Sequence, residues 1–299
     1  RVLSYAFWRE YTLSGGLLMT SISTISTTKA YEGIQGTYEH ESHSTGCKMT
    51  FSVYMPPSAE LSPVPVIWYL SGLTCTHANV MDKGEYRRLA SELGLAIVCP
   101  DTSPRGESIP DESDNWQFGT GAAFYLDATQ APYTDNYNMY SYVVSELPNL
   151  IGEHFNVDLK RQAIMGHSMG GHGALTIALK NEGVYKSCSA FAPIVSPSTS
   201  AWSANAFEKF LGKDILAWGQ HDAVELISLG HRFPEFLVDQ GDADDFLEEG
   251  LKPWLLEAAC AEAELKLTLR MHEGYDHSYS FISTFMDDHI RWHGERLLT

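Results

Sequence analysis

Short apolar segments that alternate with helical patterns constrain this chain more than any other feature of its sequence. Nearly continuous apolar runs of this kind are typical of strands buried on both faces of a parallel sheet. The runs are Val64–Leu70, Leu95–Cys99, Gln162–Met165, Cys188–Ala192, Phe236–Val238 and Leu265–Met271. Apolar residues recur at helical spacing in Tyr86–Leu93, Met139–His154, Met169–Lys180, Pro253–Ala263 and Phe281–Leu297. The alternation predicts an α/β fold with a mostly parallel sheet.

An antiparallel hairpin is predicted ahead of the parallel strands. Segments Gly36–Glu41 and Met49–Met55 alternate apolar and polar residues, which is typical of strands with one solvated face. Ser42–Gly46 lies between them and has the composition of a turn. We therefore expect the two segments to pair as antiparallel strands at the start of the sheet.

Composition limits the function classes open to this chain. It has 299 residues, of which 44% are hydrophobic and 19% charged, and this excludes intrinsic disorder. A formal net charge of −18 argues against nucleic acid or an anionic membrane as partner, because both attract basic surfaces. No apolar run is long enough to span a bilayer. The first methionine is Met19, so we expect residues 1–18 to be an upstream extension and residues 19–299 to form a single domain.

Cysteine and histidine usage bears on compartment and metal binding. The five cysteines are widely spaced and form no C-x-x-C pair, which indicates free thiols in a reducing compartment. Among the twelve histidines, the close pairs His40/His43 and His167/His172 lack a third ligand at a familiar spacing, and there is no H-E-x-x-H. The sequence therefore predicts no metal site.

The strongest chemical motif is Gly166-His167-Ser168-Met169-Gly170-Gly171, which matches G-x-S-x-G. It follows the apolar run ending at Met165 and opens the helical pattern Met169–Lys180, so it has the strand, tight turn and helix that expose a nucleophilic serine. Glycines on either side of Ser168 remove side chains that would clash in so tight a turn. Ser168 is thus predicted to be the nucleophile.

A serine hydroxyl needs a base, and the base is expected after the last strand. His277 lies in the loop that begins the last helix, where an imidazole can reach the serine. His272 is the rival, but it ends the strand and is less well placed. The sequence favours His277 as the base.

The acid is expected after the preceding strand, where Asp239-Gln240-Gly241-Asp242-Ala243-Asp244-Asp245 follows Phe236–Val238. Gly241 supplies a turn, and an acid about three residues later can reach the next loop, which favours Asp244. Asp242 is not excluded by composition. The order Ser168, Asp244, His277 is that of α/β-hydrolases.

Two backbone amides are predicted to form an oxyanion hole. Met169 begins a helix, where an unsatisfied N–H and the helix dipole favour negative charge. The second donor is expected in the loop after an early strand, where Gly72 lets the backbone approach a ligand and Leu73 is the candidate. Cys75 follows closely, and it is interpreted either as a thiol near the site or as a small buried residue.

The segment Pro100–Asn138 is long and lacks a clear period. It contains aromatic residues such as Trp116. Two interpretations remain open: the segment is a loop that faces the substrate, or it is an ordered surface loop packed by its own aromatic side chains.

Motifs along nearly the whole chain, about residues 28–297, resemble those of the S-formylglutathione hydrolases, also called esterase D. The motifs are CKMTFSVYMPP at Cys47–Pro57, SGLTCT at Ser71–Thr76, FYLDAT at Phe124–Thr129, GHSMGGHGAL at Gly166–Leu175, DQGDADDFL at Asp239–Leu247 and EGYDHSYSFI at Glu273–Ile282. The resemblance implies the α/β-hydrolase fold, with helices on both faces of the sheet. It implies hydrolysis of S-formylglutathione to glutathione and formate in formaldehyde removal, with side activity on small esters.

The same resemblance implies roles for particular residues. Ser168, Asp244 and His277 match the family's triad, which decides between the two aspartates. Leu73 and Met169 match the oxyanion amides, and Cys75 matches a cysteine beside the site. Trp202 is expected to line the acyl pocket, although its neighbourhood matches less closely.

The resemblance further implies a cytoplasmic homodimer with a small-molecule substrate and no cofactor. The alternatives are a general short-chain carboxylesterase or acyltransferase on this scaffold and, more remotely, a non-catalytic binding module.

Overall fold

The computed structural model describes residues 21–112 and 114–299, with only the backbone described for Ala201 and Trp202. A single sheet organises this part of the chain, in the order β1-β2-β3-β5-β4-β6-β7-β8-β9. Its strands are β1 Ser23–Ala30, β2 Gly33–Glu41, β3 Lys48–Met55, β4 Val64–Leu70, β5 Ala96–Pro100, β6 Val157–His167, β7 Tyr185–Phe191, β8 Glu235–Gly241 and β9 Lys266–His272. The predicted extension, residues 1–18, lies outside the described residues, and the single domain over residues 19–299 stays a prediction.

Strand direction divides the sheet into two parts. Strands β1, β2 and β3 pair antiparallel, and β3 pairs antiparallel with β5. Strands β5, β4, β6, β7, β8 and β9 run parallel to one another. The predicted hairpin and mostly parallel sheet are confirmed. Strand β1 was not predicted, because its Ser- and Thr-rich sequence is exposed and shows no apolar alternation.

The helices lie between and after the strands. They are α1 His77–Lys83, α2 Arg87–Leu93, α3 Met139–Ser141, α4 Leu147–His154, α5 Met169–Lys180, α6 Ala201–Leu211, α7 Ile215–Gly219, α8 Ala223–Ser228, α9 Pro253–Glu262 and α10 Tyr279–Leu297, with π-helical segments at Tyr142–Glu146 and Leu247–Leu251. The five predicted helices are present, although a π-helical segment separates α3 from α4 within one of them. Helices α1, α6, α7 and α8 were not predicted, and three of these four have no more than seven residues, too few for a clear period.

Helices cover both faces of the sheet, as contacts of β7 demonstrate. The Cys188 thiol lies 3.4 Å from the Ala174 carbonyl oxygen of α5. The next residue, Ser189, places its Oγ 2.8 Å from His289 Nδ1 of α10. Because successive side chains of a strand point to opposite faces, α5 and α10 lie on opposite sides of β7.

The topology brings several loops to one edge of the sheet. Strands β4, β6, β8 and β9 are parallel, so their carboxyl ends at Leu70, His167, Gly241 and His272 meet at the same edge. Ligands of open α/β sheets bind at this edge. Within residues 21–112 and 114–299, no helix combines the length and apolarity that a membrane span requires.

Candidate active site

Ser168 occupies a sharp turn between β6 and α5. Its backbone has φ 59° and ψ −118°, a strained conformation for a residue with a side chain. The turn is held from both sides, since the Ser168 amide donates to the Phe191 carbonyl at 2.9 Å and the Ser168 carbonyl accepts from the His172 amide at 2.9 Å. The strand, turn and helix predicted around Ser168 are therefore present.

Close backbone packing explains the glycines of this motif. A Cβ atom on Gly170 would lie 1.9 Å from the Leu70 carbonyl oxygen at the end of β4. A Cβ atom on Gly166 would lie 2.2 Å from the Gly170 carbonyl oxygen. Real Cβ atoms do not approach backbone so closely, so only glycine allows the turn to pack against the neighbouring strand.

His277 and Asp244 form a short hydrogen bond. His277 Nδ1 lies 2.6 Å from Asp244 Oδ2, a charge-assisted distance. The Asp244 carboxylate also accepts from Gln240 Nε2 at 3.1 Å and from the Phe246 amide at 2.9 Å, and it is buried. With Nδ1 donating to the carboxylate, His277 Nε2 is left as the basic nitrogen of the neutral ring.

Ser168 and His277 line the same cavity, which has a volume of about 190 Å³. Its walls are formed by Gly72, Leu73, Thr74, Trp116, His167, Ser168, Phe246 and His277. Among the described residues, no hydrogen bond joins the Ser168 hydroxyl to the His277 ring. Such bonds often tighten only when a substrate binds, so the arrangement is competent for a serine hydrolase.

The rival acid and base lie elsewhere. His272 Nε2 lies 3.2 Å from Asp239 Oδ2, and its ring stacks on Phe285 with the centroids 3.7 Å apart. Asp242 Oδ1 accepts a 2.7 Å hydrogen bond from the Gly274 amide. The geometry thus brings Asp244, and not Asp242, to the imidazole of His277.

The two predicted oxyanion amides belong to residues close to the serine. Met169 is the first residue of α5, so its N–H has no acceptor within the helix. Leu73 lines the cavity and follows Gly72, where an added Cβ atom would lie 3.1 Å from Ser168 Cβ. Both amides are therefore placed where negative charge on a carbonyl bound at Ser168 could be stabilised.

Sequence reasoning missed the position of His167 beside the base. The His167 ring lies 4.5 Å from the His277 ring, centroid to centroid, and is buried. Burial, reinforced by the neighbouring His277, lowers the pKa of His167 well below its ordinary value, so this ring stays neutral. The signal available in the sequence was its place directly before the nucleophile.

The remaining predicted contacts have different outcomes. Cys75 is buried next to the cavity-lining Thr74 but is not itself part of the wall, and burial raises the pKa of its thiol. The side chain of Trp202 lies outside the described residues, so its role stays a prediction.

The long segment Pro100–Asn138 reaches the cavity at one point. Trp116 lines the cavity, whereas Phe118 packs on Phe210 with the ring centroids 4.6 Å apart. The long segment therefore contributes both to the cavity and to an aromatic cluster.

Comparison with known proteins places this geometry in a family. The family model described as "Putative esterase" matches residues 42–292. S-formylglutathione hydrolases from Bos taurus and Paracoccus denitrificans are 49% and 50% identical to this chain, over 93% and 92% of it and 99% and 98% of their own lengths. The chain belongs to the S-formylglutathione hydrolase family. Its membership confirms the resemblance seen in the sequence motifs.

Solved structures agree with this family and fold. An S-formylglutathione hydrolase from Agrobacterium tumefaciens is 64% identical, covers 92% of this chain and 99% of its own, and superposes with a TM-score of 0.91. A ferulic acid esterase that is 18% identical superposes with a TM-score of 0.70 over 88% of this chain and 98% of its own. The S-formylglutathione hydrolase family is thus built on the α/β-hydrolase fold predicted here, and the chain is a hydrolase.

Proposed function

We propose that this protein is a serine thioesterase that hydrolyses S-formylglutathione to glutathione and formate. The observation that carries the proposal is the 2.6 Å contact of Asp244 with His277, which lines the same cavity as Ser168. Relatives named for this activity, about half identical over nearly the whole chain, support the substrate.

The first half of the reaction acylates the serine. Ser168 Oγ attacks the formyl carbon while His277 Nε2 takes the hydroxyl proton, and Asp244 stabilises the imidazolium through Nδ1–H. The negative charge on the formyl oxygen is stabilised by the amides of Leu73 and Met169. The carbon–sulfur bond then breaks, and glutathione leaves with the proton held by His277.

The second half releases formate. Water attacks the formyl-serine carbon while His277 removes one of its protons, and the same two amides stabilise the second oxyanion. The bond between this carbon and Ser168 Oγ breaks, and the serine oxygen regains a proton from His277. Formic acid and free enzyme result, the acid ionises to formate at neutral pH, and neither step as proposed uses a cofactor or metal.

The cavity suits a small acyl group on a larger leaving group. Its volume of about 190 Å³ accommodates a formyl group on Ser168 and leaves room for part of the leaving group. Two aromatic side chains on its wall, Trp116 and Phe246, are 49% and 38% exposed, which leaves aromatic surface for the glutathione portion.

A comparison of three substrates tests this function. We expect kcat/KM for S-formylglutathione to exceed the values for S-acetylglutathione, which has a larger acyl group, and for an aryl formate ester, which has a different leaving group. The measurement is initial rates of each purified substrate, with the background given by the Ser168→Ala variant. A higher kcat/KM for the aryl ester would instead favour the alternative of a general short-chain carboxylesterase.

The cellular setting is also part of the proposal. Hydrolysis of S-formylglutathione would serve formaldehyde removal, in the cytoplasm, and without nucleic acid or membrane partners. The five cysteines are free thiols, four of them buried, which supports a reducing compartment.

The homodimer rests on the resemblance to the family. We expect light scattering on the purified protein to give a mass near twice the 33.3 kDa of one chain. A mass near that of one chain at assay concentration would contradict the dimer and leave the proposed chemistry unaffected.

A further inference from the structure

Two loops at the carboxyl edge of the sheet are bonded directly to each other. We call residues 241–246 the acid loop, because it contains Asp244, and residues 272–278 the base loop, because it contains His277. Besides the His277–Asp244 bond, three hydrogen bonds join them: Asp242 N to His272 O at 3.1 Å, Ala243 N to Tyr275 O at 3.0 Å and Gly274 N to Asp242 Oδ1 at 2.7 Å. The proposed acid and base are therefore held in one assembly of two loops.

A buried carboxylate lies directly beneath these loops. Asp239 belongs to β8, and its side chain is fully buried. Arg270 of β9 binds it with two hydrogen bonds, Nε to Oδ1 and Nη2 to Oδ2, each 2.6 Å long. His272 Nε2 lies 3.2 Å and His289 Nε2 lies 3.3 Å from Asp239 Oδ2. Asp239, in β8, therefore contacts residues at the end of β9 and one residue of α10.

The charge of Asp239 is balanced within this cluster. Burial raises the pKa of Asp239, but the neighbouring His289 and the hydrogen-bonded Arg270 outweigh burial and lower it to about 2. Burial lowers the pKa of His289, so that ring is neutral and the Arg270 guanidinium supplies the positive charge. A bidentate pair of this kind fixes orientation as well as distance.

The location of the pair matters because β9 is the last strand of the sheet. Among the described residues it has β8 on one side and no strand on the other, and its side chains are partly exposed. The base loop therefore extends from a strand that is bonded along one edge only. Asp239 attaches the end of that strand to β8, and His272 also stacks on Phe285 of α10.

We propose that Asp239 is a positioning residue, whose contacts with Arg270 and His272 fix the base loop against the acid loop and so aim His277 at Ser168. The inference rests on the proposed triad, because it concerns how that triad is held. Asp239 itself is not one of the residues that line the cavity. Its loss would change the geometry of the reacting groups without changing their chemistry.

The deciding variant is Asp239→Asn, which keeps the side-chain shape and removes the charge that Arg270 binds. Assayed with p-nitrophenyl acetate at a temperature where it is fully folded, it should lose kcat by roughly 10- to 100-fold with little change in KM, because a misplacement of about 1 Å has effects of this size. Labelling of Ser168 by an organophosphate should slow in parallel.

The matched control is Ser187→Ala. Ser187 Oγ lies 2.7 Å from His293 Nδ1, in a buried hydrogen bond between β7 and α10 that does not contact either loop. We expect this variant to lower the melting temperature and leave kcat unchanged. The Ser168→Ala variant measures the rate without a nucleophile. Full activity in that variant would refute the proposed triad, and this result is distinct from any outcome for Asp239.

Two results would overturn the proposal. One is a folded Asp239→Asn variant with wild-type kcat, and the other is an equal loss of kcat in Ser187→Ala. If Asp239→Asn does not fold, the His272→Phe variant tests the proposal instead. It keeps an aromatic ring against Phe285 and removes the nitrogen that faces Asp239. That variant should lose kcat by roughly tenfold, and wild-type kcat would again overturn the proposal.

Discussion

Replacement of Ser168 by alanine should lower kcat for S-formylglutathione by on the order of 10⁶-fold, as for other triad nucleophiles. The variant retains the cavity and the oxyanion amides but has no oxygen to form the acyl-enzyme. Its fold should be unaffected, because the Ser168 hydroxyl makes no hydrogen bond to the described residues and alanine keeps the Cβ atom. Hydrolysis rates and the mass of protein treated with an organophosphate measure the two effects.

The matched control for Ser168→Ala is a second buried serine. Ser52 lies in β3, and its hydroxyl is 3.5 Å from the His77 carbonyl oxygen, away from the cavity. Ser52→Ala should retain both hydrolysis and one organophosphate adduct per chain. An adduct that persists at another residue in Ser168→Ala, together with residual fast turnover, would refute the assignment of the nucleophile.

Asp244→Asn should lower kcat by on the order of 10⁴-fold, the size of the effect when a triad acid is replaced by its amide. The carboxylate accepts from His277 through one oxygen and from the Phe246 amide through the other. An asparagine has only one acceptor oxygen, so one of these contacts must be lost or the imidazole must take the wrong tautomer. The kcat of purified variant and wild type, measured across pH, checks this expectation.

Asp242→Asn is the control for the acid. Its oxygen can still accept from the Gly274 amide, because Asn and Asp share that acceptor, and it does not face His277. We expect kcat within a few-fold of wild type. An equal loss of activity in both asparagine variants would contradict the assignment of Asp244 and point to a general effect on the acid loop.

The parts of the fold that the sequence predicted are those with a strong local pattern. The bounds of β4 and of α5 match the predicted segments because both are buried apolar runs. Strand β1 was not predicted because it is exposed and its polar sequence does not indicate that it pairs with β2. Short helices such as α8 depend on a side-chain cap, here Asp222, more than on periodicity.

The candidate site divides in a similar way. Ser168 could be found from a local motif, whereas Asp244 and His277 required the order of strands and the family resemblance. The contact between them depends on which side of a turn each side chain takes, and Asp242 shows that a neighbour two residues away can face another partner. The cluster around Asp239 was not foreseen, because its members come from different strands and from α10.

The bonding between the acid and base loops determines where the site can adjust. His277 and Asp244 are joined by their own hydrogen bond and by those between the two loops, whereas among the described residues no hydrogen bond joins His277 to the Ser168 hydroxyl. We therefore expect a bound thioester to bring the imidazole and the hydroxyl into hydrogen-bonding distance while the imidazole–carboxylate contact is kept.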